Sequence, residues 1–496
     1  MKIVVIGGVA TGMSAAMRAK RIDPSADVSV YDAGLYVSFS NCGMPYYFGD
    51  VCEREDLISR PPEYFEAKGI RVHTGARVSA IDRREKTITV ERIPGGFWGD
   101  DADATDAATS VVSYDKLVYA PGAAAITPPI PGSELGHPLR VIEDMDAIER
   151  ALVEAEQRIL EHATDTDEHQ RSTHSAQQPK PVAAIIGAGP VGIEIAENLI
   201  HRGFAVHVIS RPAHVLKPLA GDLAQRVEEE LTAHGVQLYL GDAAAKIIEI
   251  TDEQTPNRYE VTTTSGTAIR CGVVITATGV RPRSQIAAAA GLELADDASV
   301  LVDEMQRTSD PDVYSGGDVA SALMISGARR STMLAGPANK QGRRIADAIF
   351  ADAIERGEST VKPPRVIPAK PALGTTIVGC FDVIAGFTGI QEAELLQLGI
   401  EYEAVRIDSD SNAGYYPGSQ PLSIVGYVRI NDGVLLGASV VGGKGADKRL
   451  DVLATAITAG MNANDLAELE LAYAPQFSHS KDAVNLLGYV ASKRVG

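Results

Sequence analysis

Cys42 lies in the stretch YVSFSNCGMPYYFGD, residues 36–50, among small residues, a glycine, a proline and tyrosines. The other cysteines, Cys52, Cys271 and Cys380, are too few and too scattered for a disulfide framework or a zinc site, so no metal is expected. Those three read as core or inert residues. A cysteine without an obvious partner acts by reactivity. It can hold two electrons' worth of oxidation as a mixed disulfide with a small thiol, as a sulfenic acid or as a persulfide.

Two glycine turns could hold nucleotides. GAGPVG at residues 187–192 matches G-x-G-x-x-G in full. Gly187 permits the tight turn, Gly189 the approach of a pyrophosphate, and Gly192 close packing of helix on strand, with Val191 between them. GGVATG at residues 7–12 keeps Gly7 and Gly12 but has Val9 and Ala10 in between. That partial match gains weight from Asp32, which ends the next strand where a carboxylate can accept hydrogen bonds from a ribose diol. After the second turn the strand HVISR ends in Ser210 and Arg211, where a carboxylate would repel a 2′-phosphate and Ser and Arg would bind it. NADPH is therefore expected over NADH, which stays possible.

The elements around these residues alternate short β-branched runs with amphipathic helices, the pattern of α/β domains. Residues 2–32 read as strand, glycine turn, helix and strand, and the unit returns at residues 182–211. Two such units imply two nucleotide cofactors. The segment at 161–181 is polar and without hydrophobic periodicity, as in an exposed linker, and GGFWGDDADATDAATS at 95–110 reads as an extended hairpin. From residue 366 short strands and then helices follow without another glycine fingerprint.

With 496 residues the chain is too long for one core and should divide into about three or four domains, at roughly 100–200 residues each. The balance of 46 Lys and Arg against 65 Asp and Glu, a net −19, excludes nucleic acid and anionic membranes as general partners. No apolar run reaches the ~18–20 residues of a membrane span, and MKIVVIGGVA moves straight from strand to turn without a signal-peptide pattern. A cytoplasmic protein is expected. No rhodanese-like extension follows residue 496, so a built-in sulfur carrier is not expected.

Longer motifs carry a resemblance. DPDVYSGGDVA, residues 310–320, resembles the strand-turn of two-dinucleotide flavoproteins whose aspartate, here Asp318, holds the ribityl chain of FAD. YDKLVYAPGA, residues 114–123, resembles their crossover strand. With GGVATGMSAAMRAKR, SFSNCGMPYY, NAGYYPG, GKGADKRLDVL and LAYAPQFSHSKDAVN, the chain resembles over nearly its whole length the single-cysteine branch of the pyridine nucleotide–disulfide oxidoreductases, most closely the coenzyme A–disulfide reductases. Thr11 departs from the usual glycine, and the segments at 95–110 and 161–181 are insertions.

The resemblance implies an α/β fold with two Rossmann-like domains, for FAD and NAD(P), and a C-terminal α+β dimerisation domain. The expected boundaries are 1–150 and 300–365 for the two parts of the FAD domain, 161–181 for the linker, 182–299 for the NAD(P) domain and 366–496 for the dimerisation domain. Gly7, Val9, Ala10, Gly12, Asp32, Val78, Gly122 and Asp318 are then FAD positions. In relatives such as glutathione reductase a second cysteine stands five residues on; here that position, counted from Cys42, is Tyr47. The resemblance thus favours a mixed disulfide of Cys42 with coenzyme A (CoA), its thiolate stabilised against the isoalloxazine near a helix N-terminus.

The family's CoA-contacting positions match Ser14, Arg18, Arg21, Ser38, Asn41, Lys68 and Lys481, where cations suit a pyrophosphate and a 3′-phosphate. Singly, Arg18, Arg21 or Lys68 could be a solvated helix face. Tyr415 and Tyr473 match tyrosines that reach the cysteine from the partner subunit of a homodimer, with Tyr416 the alternative to Tyr415. Expected substrates are CoA disulfide or a CoA persulfide. Two rivals stand beside this reading. An NAD(P)H oxidase or peroxidase would cycle Cys42 through sulfenic acid, but the loop GGVATG lacks the histidine such relatives commonly carry. A redox-sensing flavoprotein would leave the CoA-type residues without a role.

Overall fold

The computed structural model describes residues 1–97, 109–167, 179–252 and 255–495. Its first sheet is parallel, in the order Val313–Ser315, Lys116–Tyr119, Lys2–Ile6, Asp27–Tyr31, Ile70–His73. The strand from the far side of the chain thus closes the sheet that carries the first glycine turn. A second parallel sheet runs Gln237–Leu240, Ala205–Ser210, Val182–Ile186, Val273–Thr276, His137–Pro138. The C-terminal sheet is antiparallel, with five strands from Thr376–Cys380 to Tyr402–Asp410, and carries the helices Ala446–Ala459 and Ala483–Ala491. The architecture is two Rossmann-like α/β units and an α+β unit.

The two glycine turns are geometric twins. Gly7 has φ +99° and Gly187 φ +121°, values that favour glycine. A Cβ on Gly12 would lie 1.8 Å from the Gly7 carbonyl oxygen, and one on Gly192 2.1 Å from that of Gly187. Each turn leads into a helix, Ala10–Ile22 and Pro190–His201. A Cβ at Gly189 would meet nothing within 4 Å, so the matching position in the first turn can carry Val9 without a clash inside the protein.

Thr11 has its own accommodation. Its hydroxyl donates to the Ala338 carbonyl at 3.0 Å, and a Cβ on Gly317, at φ +78°, would lie 2.6 Å from that hydroxyl. Gly317 immediately precedes Asp318, so the extra side chain fills space which a glycine leaves open.

Two boundaries differ from those expected. The first segment does not run to residue 150 as part of the first unit: His137–Pro138 pairs with the second sheet, and the helix Ile142–Asp167 packs on it. Ile142, Met145, Ile148, Leu152 and Ala155 are buried in one cluster with Ile185, Ile275 and Val206. This apolar stripe at helical spacing needs a sheet to cover it, and the second sheet is the nearest. The expected linker at 161–181 is helical as far as Asp167, while residues 168–178 lie outside the described residues. The insertion at 95–110 joins the antiparallel strands Thr87–Arg92 and Thr109–Ser113, and most of it, residues 98–108, also lies outside them. No helix among the described residues is long and apolar enough to cross a membrane.

Candidate active site

Cys42 sits in the 3-10 turn Asn41–Gly43, followed by the single α-turn Met44–Tyr47 that carries Pro45. The turn forms one wall of a cleft of about 450 Å³. The glycine turn supplies Val9 and Ala10, the first helix Ser14, Arg18 and Arg21, and the segment before the cysteine Ser38 and Asn41. These positions named from sequence meet around Cys42. The cleft also takes Ser59, Arg60 and Tyr64 from the loop and short helix that follow, and Asn339 and Arg343 from the helix Ala335–Glu355.

The first helix packs along Ala335–Glu355 through small residues: a Cβ on Gly342 would lie 2.2 Å from the Thr11 carbonyl oxygen. Ser14 donates to Asn339 at 2.8 Å, and Arg18 Nε pairs with Asp347 at 2.7 Å. Arg18 therefore lines the cleft with part of its charge already engaged. Lys68 stands at the rim with Nζ 5.7 Å from the Tyr64 ring centroid.

The protein groups around Cys42 act on its thiol. Cys42 is exposed along the cleft wall, yet enough protein surrounds the sulfur that loss of water pushes its thiol up from the ordinary value. Glu194 adds to the rise and Arg140 opposes it. The helical turns beside the cysteine have three and four residues, too few to supply a dipole that would lower the thiol. The protein's own groups thus raise the Cys42 thiol, chiefly through loss of water.

Glu194 is the residue sequence reasoning missed here. It lies on the helix Pro190–His201, where burial pushes its carboxyl up to about 7, and it accepts a hydrogen bond from Tyr46 at 3.3 Å. A signal existed: Glu194, Glu197, Asn198 and His201 form a polar stripe at helical spacing opposite the apolar face of Ile193, Ala196 and Leu199. Such a stripe can face a neighbouring unit rather than water. Glu197 accepts from the Phe381 amide at 3.1 Å, and the His201 ring packs edge-on to Phe381, in the C-terminal unit.

The residues around the first turn fit a dinucleotide. Asp32 accepts hydrogen bonds from the Gly8 and Gly34 amides at 2.6 and 2.7 Å, which fixes its carboxylate at the strand end. Asp318 pairs with Arg140, and Gly122, at φ +71°, has its Cβ direction 3.7 Å from the same arginine. Val78 is buried, its side chain in the cluster with Ile6 and Tyr31. At the second turn Val191 is exposed. Ser210 is only 6% exposed, whereas Arg211 is exposed and has no carboxylate partner among the described residues. No group of His, Cys, Asp or Glu among the described residues could hold a metal.

Tyr415 and Tyr473 come together away from the cleft of their own chain. They are 77% and 50% exposed, and a hydrogen bond with Tyr473 pushes the Tyr415 phenol up. Tyr416 donates to Gln476 at 3.3 Å, and the exposed Phe477 stands beside them in sequence. Lys481 lies in the exposed turn before the helix Ala483–Ala491. Below this surface Arg449 and Asp482 form an ion pair at 2.8 Å with side chains 1% and 3% exposed, and Arg449 also donates to the carbonyls of Ser411 and Gly445. One buried cation thereby joins two of the C-terminal motifs to Ser411, the residue that precedes NAGYYPG.

Comparison with known proteins agrees with this arrangement. The family model described as pyridine nucleotide-disulphide oxidoreductase matches residues 1–342, and that family's dimerisation domain matches residues 376–484. The coenzyme A disulfide reductase of Staphylococcus haemolyticus is 31% identical over 492 residues, 99% of each chain, and that of Staphylococcus epidermidis is 30% identical over the same span. Among solved structures, reduced CoADR-RHD of Bacillus anthracis is 33% identical with a TM-score of 0.84, covering 99% of this chain and 80% of that one. A NAD-dependent persulfide reductase from A. fulgidus is 31% identical with a TM-score of 0.84, covering 99% and 83%. With both nucleotide turns, the cysteine cleft and the C-terminal sheet in the matching order, the chain belongs to the pyridine nucleotide-disulphide oxidoreductase family and is an FAD-dependent oxidoreductase.

Proposed function

We propose that the protein is a coenzyme A–disulfide reductase in which Cys42 works alone, as a mixed disulfide with CoA. The observation that carries this is the make-up of the Cys42 cleft: among the described residues four arginines and no carboxylate line it, in a protein of net charge −19. A pyrophosphate and a 3′-phosphate on the thiol's far end are what such a lining fits.

Cys42 as thiolate attacks one sulfur of CoA–S–S–CoA, the S–S bond breaks, and one CoA leaves as thiolate and takes a proton. Cys42–S–S–CoA remains. Two electrons from NAD(P)H then cleave that bond, releasing the second CoA and restoring the Cys42 thiolate. FAD, when bound, supplies the two-electron link between nicotinamide and sulfur. Asn41, which accepts from Cys42 Sγ at 3.9 Å, and Ser38 on the same cleft wall orient the entering chain, while Arg18 and Arg21 hold its charged end. CoA persulfide suits the same cleft, a reading favoured by the likeness to a persulfide reductase.

Arg211, exposed and without a carboxylate partner among the described residues, supports NADPH as the reductant. The exposed Tyr415–Tyr473 pair and the match to a dimerisation domain support a homodimer in which these phenols reach the partner's cleft. Intact-mass analysis of the unreduced protein tests the reading: an adduct of CoA mass on Cys42, lost in Cys42→Ser, is expected. NADPH oxidation should follow CoA disulfide rather than oxygen or peroxide. An unmodified or sulfinylated Cys42, with oxygen as the better acceptor, would point to the oxidase reading.

A further inference from the structure

Arg283 carries a spare guanidinium among charges that are already engaged. The charges it faces include Arg140, Asp32 and Asp144. Asp32 accepts from the Gly8 and Gly34 amides, and Asp144 from the Arg140 and Val141 amides at 2.8 and 3.0 Å. Arg140 pairs with Asp318 and donates to the Ala123 carbonyl at 3.2 Å. The Arg283 side chain has no hydrogen bond and no carboxylate partner among the described residues, so the donors of its fork are uncommitted there.

The backbone that presents this cation is fixed. The strand Val280–Pro282 pairs with Ala123–Ala125, the Arg283 amide donates to the Gly122 carbonyl at 3.0 Å, and the Arg283 carbonyl accepts from the Tyr119 hydroxyl at 2.5 Å. Pro282 and Ser284 on either side are buried, while Arg283 is exposed. Protein still crowds the guanidinium enough that loss of water pushes it down from its ordinary value, with Arg140 adding to the fall and Asp32 opposing it. A cation that is partly dried and has no ion pair lacks the anion that would offset that loss.

Position says which anion. Asp32 stands where the adenosine ribose of FAD is expected, and Asp318 where the ribityl chain is expected. The diphosphate is the part of FAD that joins those two ends, with a negative charge on each phosphate. Arg283 faces Asp32 on one side and, on the other, the Arg140 that holds Asp318. The first glycine turn offers amides and a helix N-terminus but no basic residue before Arg18. We infer that Arg283 is the cation that grips the diphosphate of FAD, adding a guanidinium fork to the amides of the glycine turn. This role holds whichever disulfide the protein reduces.

Release of FAD from the holoenzyme, read as the rise of free-flavin fluorescence after dilution into a potassium chloride series, tests this role. Arg283→Gln should release FAD about 10- to 150-fold faster than wild type at low salt, the range of one lost charge-assisted hydrogen bond. Its release should also depend less on salt, because the ionic contact that salt screens is gone. Arg283→Lys, which keeps the charge and loses the fork, should fall between the two and serves as the test if the neutral variant does not fold. KM for NADPH should not move in either variant.

Unchanged release and an unchanged salt slope in the folded variants would overturn the inference. A raised KM for NADPH with unchanged FAD release would give the cation to the other dinucleotide and overturn it as well. In an Asp32→Asn background Arg283→Gln should still speed release. An effect that vanishes there would make Arg283 a brace for Asp32 and not a ligand of the diphosphate, which would again overturn the assignment.

Discussion

Tyr46 donates its phenolic hydroxyl to Glu194 at 3.3 Å, tying the turn that follows Cys42 to the helix that starts at the second nucleotide fingerprint. The two units thus meet beside the reactive sulfur. Burial, with the Glu194 charge, pushes the Tyr46 phenol up to about 12, so it stays a donor over the physiological range.

Glu194→Gln removes a negative charge that raises the Cys42 thiol. The thiol should titrate lower, so alkylation of Cys42 by iodoacetamide at pH 7 should speed up, and the midpoint of its pH profile should move down. An unmoved midpoint would mean that loss of water alone sets the thiol.

The same carboxyl rises from an ordinary 4.5 to about 7. Its contribution to stability is full below pH ~4.5 and is lost as pH rises through ~7. The Gln variant should therefore gain on wild type between those values and hold a constant difference above pH ~8. Urea midpoints at pH 4.5, 6 and 8 test this; a difference independent of pH would contradict it.

Arg211 lies exposed after the strand Ala205–Ser210 without a carboxylate partner among the described residues. Arg211→Glu should weaken NADPH use by about 1.5–3 kcal/mol, the scale of a charge-assisted hydrogen bond, and spare NADH. Parallel losses in kcat/KM for both nucleotides would show that Arg211 contacts something they share.

Asp482→Ala would strand the Arg449 guanidinium, 1% exposed, without its counter-charge. Breaking such a pair costs about 3–5 kcal/mol, whereas replacing both partners with apolar residues, as in Arg449→Met with Asp482→Leu, should cost much less. Denaturant midpoints of the single and double variants decide it. Equal midpoints for Asp482→Ala and wild type would remove the pair from the account of the C-terminal unit.

Tyr415 and Tyr473 lie outside the cleft of their own chain. In a two-fold dimer each cleft would take its tyrosines from the other subunit. A heterodimer of a Cys42→Ser chain with a Tyr415→Phe/Tyr473→Phe chain should then hold one doubly damaged site and one intact site. Subunit exchange between the two inactive homodimers should restore disulfide reduction. No recovery, with exchange confirmed by mass, would place the tyrosines in cis.

Features that depend on local backbone were legible in the sequence. Gly7 and Gly187 sit at positive φ, and Gly12 and Gly192 leave no room for a Cβ, so both turns are written in residue type. Cys42, Asp32 and Arg211 could be singled out for the same reason, since each follows directly from a strand or a recognisable run.

Other features depend on which elements pack together, and these the sequence did not show. Arg343 and Asn339 enter the cleft because Gly342 lets their helix press on Thr11, and Glu194 reaches Cys42 because one unit docks on the other. Ser210 looked like a phosphate ligand and is buried, and residues 137–167 joined the second unit because Ile142, Met145 and Ile148 needed its sheet. By itself the sequence determined the two glycine turns, the isolated position of Cys42 and the family's order of parts, since local sterics and sequence spacing are properties of neighbouring residues. Only the tertiary structure decided the charge lining of the cleft, the rise of the Cys42 thiol and the Arg449–Asp482 lock, because burial and electrostatic fields depend on groups hundreds of residues apart being packed within a few ångströms.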